Sequence, residues 1–196
     1  MKLDLLVTNA RIVNGLGTPW FRGSVGVARG RIAAMGAAAE GATAARVVDA
    51  ADRYLAPGFI DMHTHSDFDL LRSPDALGKL RQGVTTQAIG HCGYSGAPVS
   101  DEHLAQLDDY TGFLKAGVVP DWTWRTFGQW LSRLETLPLG ANVVSFVGHG
   151  TVRIAVMGFE ARPATPEETA RMRAMVGQCM AEGAVGMTSG LVYAPG

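Results

Sequence analysis

The chain has 196 residues, 47% of them hydrophobic and 18% charged, with a formal net charge of −1. That length suffices to bury a core, and the composition excludes a disordered polypeptide. With near-neutral charge and no Lys/Arg cluster, neither nucleic acid nor an anionic membrane is an expected partner. No apolar run approaches the roughly 20 residues that cross a bilayer. The N-terminal "MKLDLLVTNARIVNG" carries Asp4 inside its apolar stretch and no small-residue cleavage site, so it reads as a poor signal peptide. Cys92 and Cys179 are too few for a disulfide framework, and a soluble cytoplasmic protein is expected.

Residues 1–56 read as short strands. "LDLLVTNARIV" and "GSVGVARGRIAAMG" carry alternation and turn glycines, with "ARGRI" as a tight hairpin whose φ > 0 residue is Gly30. "ARVVDAADRYLAPG" adds one more strand before the Ala56-Pro57-Gly58 break. This region is expected to be a small β-domain.

From residue 57 onward the rhythm becomes strand and helix in repetition. "GFIDMHTH", "VTTQAIG", "NVVSFVGHG" and "AVGMTSG" read as strands. Helices are expected in "SPDALGKLRQG", near 101–116 and 126–136, and in "TPEETARMRAMVGQCMAEG". The last has Thr165 as N-cap, Pro166 at N1 and Glu168 at N3, a capping box. Near-continuous apolar strands alternating with helices predict an α/β fold with a parallel sheet, as a barrel or doubly wound.

Residues two apart on a strand share a face, so Asp61, His63 and His65 are expected on one side, with both histidines at the strand's C-terminal end. Sites are built at that end of a β/α barrel, and imidazole is the commonest metal ligand. "GVTTQAIGHCGYSGAP" repeats the design one strand later with Cys92. A buried cysteine is usually an inert hydrophobe. Between Gly90 and Gly93 at a strand end, its thiolate would instead be a soft ligand, which favours zinc. His91, adjacent, should point the other way and support the site or lie at the surface. His149 ends the third strand and by position faces the site, with a hydrogen bond to a neighbouring loop as the alternative. His103 is expected to be exposed and Cys179 to be core. The aromatics of "DYTGFLKAGVVPDWTWRTFGQW" are expected to be core rather than a ligand cage.

"PGFIDMHTHSD", "GVTTQAIGHCGYSGAP", "DWTWRTFGQWLSRLE", "NVVSFVGHGTVRIAVMG" and "GAVGMTSGLVYAPG", in that order, resemble the amidohydrolase superfamily, and within it the D-aminoacylase (N-acyl-D-amino-acid deacylase) family. The resemblance implies a metal-dependent-hydrolase-type β/α barrel beside a small β-sandwich. Residues 1–56 would be the N-terminal part of the sandwich and 57–196 the first half of the barrel, its first four strands. It implies zinc held by His63, His65 and Cys92, with the two histidines also framing a second, weaker metal position. His91 stands where the family usually has Asn. Dihydroorotase- and hydantoinase-like cousins instead carry a carbamylated lysine on strand four, and "GAVGMTSGLVY" has no lysine.

The family's other zinc-ligating histidines lie on strands five and six, and its catalytic aspartate on strand eight. No histidine follows His149, so the resemblance implies an N-terminal portion, inactive alone and without a catalytic residue of its own, whose partner is the missing C-terminal half. The implied reaction of the whole enzyme is zinc-assisted hydrolysis of the linear amide of a small-molecule N-acyl-D-amino acid. Tyr193, after the fourth strand, would hold the acyl amide or the substrate carboxylate, or simply pack in its loop. The competing reading is a non-catalytic remnant that binds metal or a partner.

Overall fold

The computed structural model describes residues 2–195. Two compact units divide the chain, Met1–Pro57 and Gly58–Gly196.

The first unit contains β1 (Leu3–Ile12), β2 (Phe21–Ala28), β3 (Arg31–Met35), β4 (Ala44–Asp49) and β5 (Tyr54–Leu55). They form one sheet in the order β3-β2-β1-β4, with β5 also on β1. The first three strands are antiparallel, while β4 and β5 run parallel to β1. At the β2–β3 turn both Arg29 and Gly30 have positive φ, the pairing a primed hairpin turn requires. The β1–β2 register slips between Val7 and Ala10, where Asn9 takes positive φ. This irregularity shifts the buried positions from Leu3 and Leu6 to Ala10 and Ile12.

In the second unit β6 (Phe59–Asp61) is followed by the one-turn helices α1 (Asp69–Arg72) and α2 (Leu77–Leu80). Next come β7 (Val84–Ile89), α3 (Leu104–Tyr110), α4 (Phe127–Glu135) and β8 (Asn142–Ser145). The described part closes with β9 (Val147–Gly148), α5 (His149–Met157), α6 (Pro166–Ala181) and β10 (Met187–Thr188). β6, β7 and β8 are parallel neighbours, as are β9 and β10. Only Phe146 separates β8 from β9, so the parallel strands stand side by side in chain order.

The helices bury one layer of aromatic and aliphatic side chains, among them Phe68, Ile89, Trp124, Phe127, Trp130 and Val152. On α4 the buried residues Phe127, Trp130 and Leu134 recur at helical spacing, which aims one stripe inward. Each such side chain contributes roughly 2 kcal/mol by leaving water. Tyr110, Trp124, Phe127 and Trp130 of the aromatic segment are therefore core, as expected, while Phe113 is exposed; Cys179 is core too, and burial pushes its thiol up to about 11. The capping box at Thr165 and Glu168 is present, and Thr126 and Gln129 form a second one on α4.

Three expectations are corrected. The helix over "SPDALGKLRQG" shrinks to the four residues of α2. His149 does not end a strand: it is the first residue of α5, a helix absent from the sequence reading. Seven of the nine residues of α5 are buried, so its apolar β-branched run lacks the polar stripe that marks a helix in sequence. His103 is half-buried just before α3 rather than exposed.

Candidate metal centre

β6 stops at Asp61, so His63 and His65 lie in the loop beyond it rather than on the strand. Strand alternation does not carry through. The Asp61 carboxylate turns to Lys79 of α2 (Nζ to Oδ2 2.5 Å), which holds its pKa below the ordinary carboxylate value. Its other oxygen accepts the His63 backbone N–H at 3.3 Å.

The parallel neighbour β7 delivers the second loop. Cys92 sits there at φ +55, a left-handed conformation that costs a non-glycine residue about 1–2 kcal/mol. Gly90 and Gly93 on either side also have positive φ, and a Cβ on Gly90 would lie 2.0 Å from the Phe146 carbonyl oxygen. Thr188 of β10 staples the loop, donating to the Gly90 carbonyl at 2.6 Å and accepting the Gly93 N–H at 3.2 Å. Such local strain marks functional positions, because only the surrounding structure can hold it.

These loops bring together one ligand atom each from His63, His65 and Cys92, all within 4.8 Å of one another, with His63 Nε2 and Cys92 Sγ 3.2 Å apart. Ligand atoms around a tetrahedral zinc stand about 3.5 Å apart. Two nitrogens and a sulfur at this spacing therefore fit a borderline-soft ion. Nδ1 of His65 is buried without a hydrogen-bond partner, and burial, then the neighbouring His63, lowers the pKa of this imidazole. A depressed pKa keeps the ring in the neutral form that can bind a metal.

The other candidates divide. His91 stacks on His63 with ring centroids 4.5 Å apart and stands outside the three-atom group. Burial, then the charges of His63 and His65, lowers its pKa. His149, also lowered in pKa, by burial and then by Arg153, is likewise outside that group. Tyr193 is exposed and reaches the site through aromatic neighbours: its ring lies 5.4 Å from Tyr94, which stands 6.3 Å from His65.

Sequence reading passed over Asp67. Its side chain is wholly buried, and neither carboxyl oxygen closes a hydrogen bond. Burial pushes its pKa up to about 7. Its place two residues after His65 was the available signal. Lys79 and Thr188 were also passed over, since their partners are distant in the chain.

Comparison with known proteins places this geometry in context. The chain is 40% identical over 193 residues to the N-acyl-D-aspartate deacylase of Alcaligenes xylosoxydans xylosoxydans, covering 98% of this chain and 37% of that protein. It is equally identical, over the same number of residues, to the D-aminoacylase of that organism, covering 38% of it. The crystal structure of N-acyl-D-glutamate deacylase from Bordetella bronchiseptica, complexed with zinc and a phosphonate mimic of the tetrahedral intermediate, superposes with a TM-score of 0.86. There the identity is 34%, covering 100% of this chain and 40% of that one. The chain thus spans about two fifths of the length of these relatives. The amidohydrolase family profile matches residues 46–194, and the chain belongs to the amidohydrolase family.

Proposed function

We propose that this chain is the N-terminal part of a zinc-dependent hydrolase that cleaves the linear amide of small-molecule N-acyl-D-amino acids. His63, His65 and Cys92 would be its zinc ligands. The observation that carries the reading is their convergence within 4.8 Å from two neighbouring loops. The relatives named above, two deacylases and a D-aminoacylase, support the substrate class. On this reading β6 to β10 are the first four strands of a β/α barrel in residues 57–196, with β8 and β9 counted together, and residues 1–56 are part of a β-sandwich.

Bound zinc supplies Lewis acidity and a water acidified towards about pKa 7. The chain's own share is to hold it. Cys92 would provide the sulfur ligand and His63 and His65 the two imidazole nitrogens, with the lowered pKa of His65 favouring its metal-binding neutral form. Tyr193, at the aromatic edge of the site, holds the acyl amide or the carboxylate of the substrate, and His149 at the start of α5 borders the substrate position. On this reading the proton-transfer group comes from the C-terminal half, the partner that would complete the reaction. A cytoplasmic location is part of the same reading, and the two free cysteines are compatible with a reducing compartment.

Zinc content and turnover test the proposal together. Wild-type chain should retain zinc through gel filtration, Cys92→Ala should lose it, and His91→Asn should weaken it by about 10–100-fold at most. With N-acetyl-D-methionine the 196-residue chain alone should show no turnover and should gain it when the C-terminal half is supplied in trans. Full zinc in Cys92→Ala, with loss in His91→Asn, would overturn the ligand assignment. Turnover by the chain alone would overturn its reading as a part.

A further inference from the structure

Three lysines occur in the chain, Lys2, Lys79 and Lys115, and Lys79 lies directly behind the loop that carries His63 and His65. Its ammonium donates to Asp61 Oδ2 at 2.5 Å and to Thr64 Oγ1 at 3.0 Å. Asp61 passes the restraint on, accepting the His63 N–H with its other oxygen at 3.3 Å. Thr64 shares a 2.8 Å hydrogen bond with the hydroxyl of Ser66, and its own N–H reaches the Ala88 carbonyl of β7 at 3.3 Å. One ammonium thus grips the chain on both sides of His63, and its second grip continues to the residue after His65.

We propose that Lys79 is a positioning residue for the metal centre: through Asp61 and Thr64 it sets the spacing of His63 and His65 relative to Cys92. The proposal rests on the reading of those three residues as metal ligands. β6 ends at Asp61, so past it the loop is held to β7 by the Thr64 N–H rather than by a continuing ladder, and loop side chains wander unless something fixes them. A flexible chain segment bearing two ligands loses conformational freedom on binding metal. Prior fixing by Lys79 removes part of that loss. Lysine suits the task because its three N–H donors can serve several acceptors at once. Its side chain is 25% exposed and that of Asp61 29%, so water competes only in part for the pair. Lys79 also lines a cavity of about 330 Å³ together with Ser66, Asp69 and Gln87. Gln87 is fully buried there with both amide atoms unpartnered, so this polar interior has spare hydrogen-bonding capacity beside the clamp.

The test is metal binding by the full chain, read by chelator competition for zinc and by the absorption of a cobalt(II)-substituted site. Lys79→Met removes the donors and keeps most of the stem. Its zinc affinity should fall about 10–100-fold, the range seen when groups that orient ligands are lost. The sulfur-to-cobalt charge-transfer band should persist while the ligand-field bands move, because Cys92 stays and the histidines shift. A purely structural ion pair would lower the melting temperature and leave both metal readouts unchanged, and that result would overturn the proposal. If Lys79→Met does not fold, Thr64→Val decides: it keeps the Lys79–Asp61 pair, should still weaken zinc several-fold, and overturns the proposal if affinity is unaltered. Cys92→Ala separates this idea from the one beneath it. Zinc and the sulfur band retained in Cys92→Ala would mean the ligand assignment has failed, whereas their loss there with an unchanged Lys79→Met would mean only the positioning role has failed.

Discussion

Cys92 shows the conflict between stability and chemistry at a single residue. Its thiol approaches His63 Nε2 only because the backbone accepts φ +55, a conformation suited to glycine. Cys92→Gly should therefore be more stable than Cys92→Ala by about 1 kcal/mol in chemical denaturation without metal, since only the alanine keeps a strained Cβ. Both should be devoid of zinc. Equal stability of the two variants would mean that the loop relaxes and stores no strain. His63 and His65 stood out as a His-x-His pair closing an apolar run, whereas the proposed role of Cys92 leaned on the family resemblance. The left-handed backbone at Cys92 was not recognisable, because nothing local in "GHCG" demands it of the cysteine rather than of the glycines.

At the scale of the element, α6 and α5 show why one helix can be read from sequence and another cannot. The start of α6 is written in local chemistry: Thr165 Oγ1 accepts the Glu168 N–H, and Glu168 accepts the Thr165 N–H. Thr165→Ala should cost about 1 kcal/mol in denaturant unfolding. Glu168 does a second job, pairing with Arg162, and that guanidinium first, then the Thr165 backbone N–H, holds its pKa down at about 2. A folded pKa below the unfolded value stabilises the protein above the unfolded value. That contribution is lost as pH falls from about 4.3 through about 2. Glu168→Gln keeps a capping-box side chain and removes the charge. Its melting temperature should lie below wild type at pH 7, with the gap closing as pH approaches 2; a gap independent of pH would assign the effect to the cap alone. No comparable punctuation marks α5, which follows β9 directly and is buried on nearly every side. Its residues are helical because the surrounding layers cover them, a tertiary decision.

For the whole molecule, the informative surface is the apolar one. Phe59, Ile60 and Met62 around β6 are each more than half exposed, and around β10 so are Val185, Leu191 and Val192. Among the described residues β6 and β10 each pair with one neighbour only, so apolar side chains and open strand edges coincide. The isolated chain should bind a hydrophobic dye and associate with rising concentration, and the C-terminal half in trans should suppress both. A monodisperse monomer that leaves the dye dark would show that these surfaces do not drive association.

Legible from residue order alone were the β-rich start, the later strand–helix rhythm with α6, the hairpin at Gly30, the cap at Thr165, most of the core aromatics and the His63/His65 pair as candidate ligands. Each of these rests on short-range chemistry: periodicity, turn and cap residues, or a ligand type at the end of an apolar run. That Asp61 turns to Lys79, that Thr188 closes the Cys92 loop from 95 residues beyond Gly93, and that the Asp67 carboxylate is sealed without a partner emerges only from packing. Those outcomes depend on which distant segments the parallel strand order brings side by side, and no local pattern encodes a partner that the chain meets only after folding.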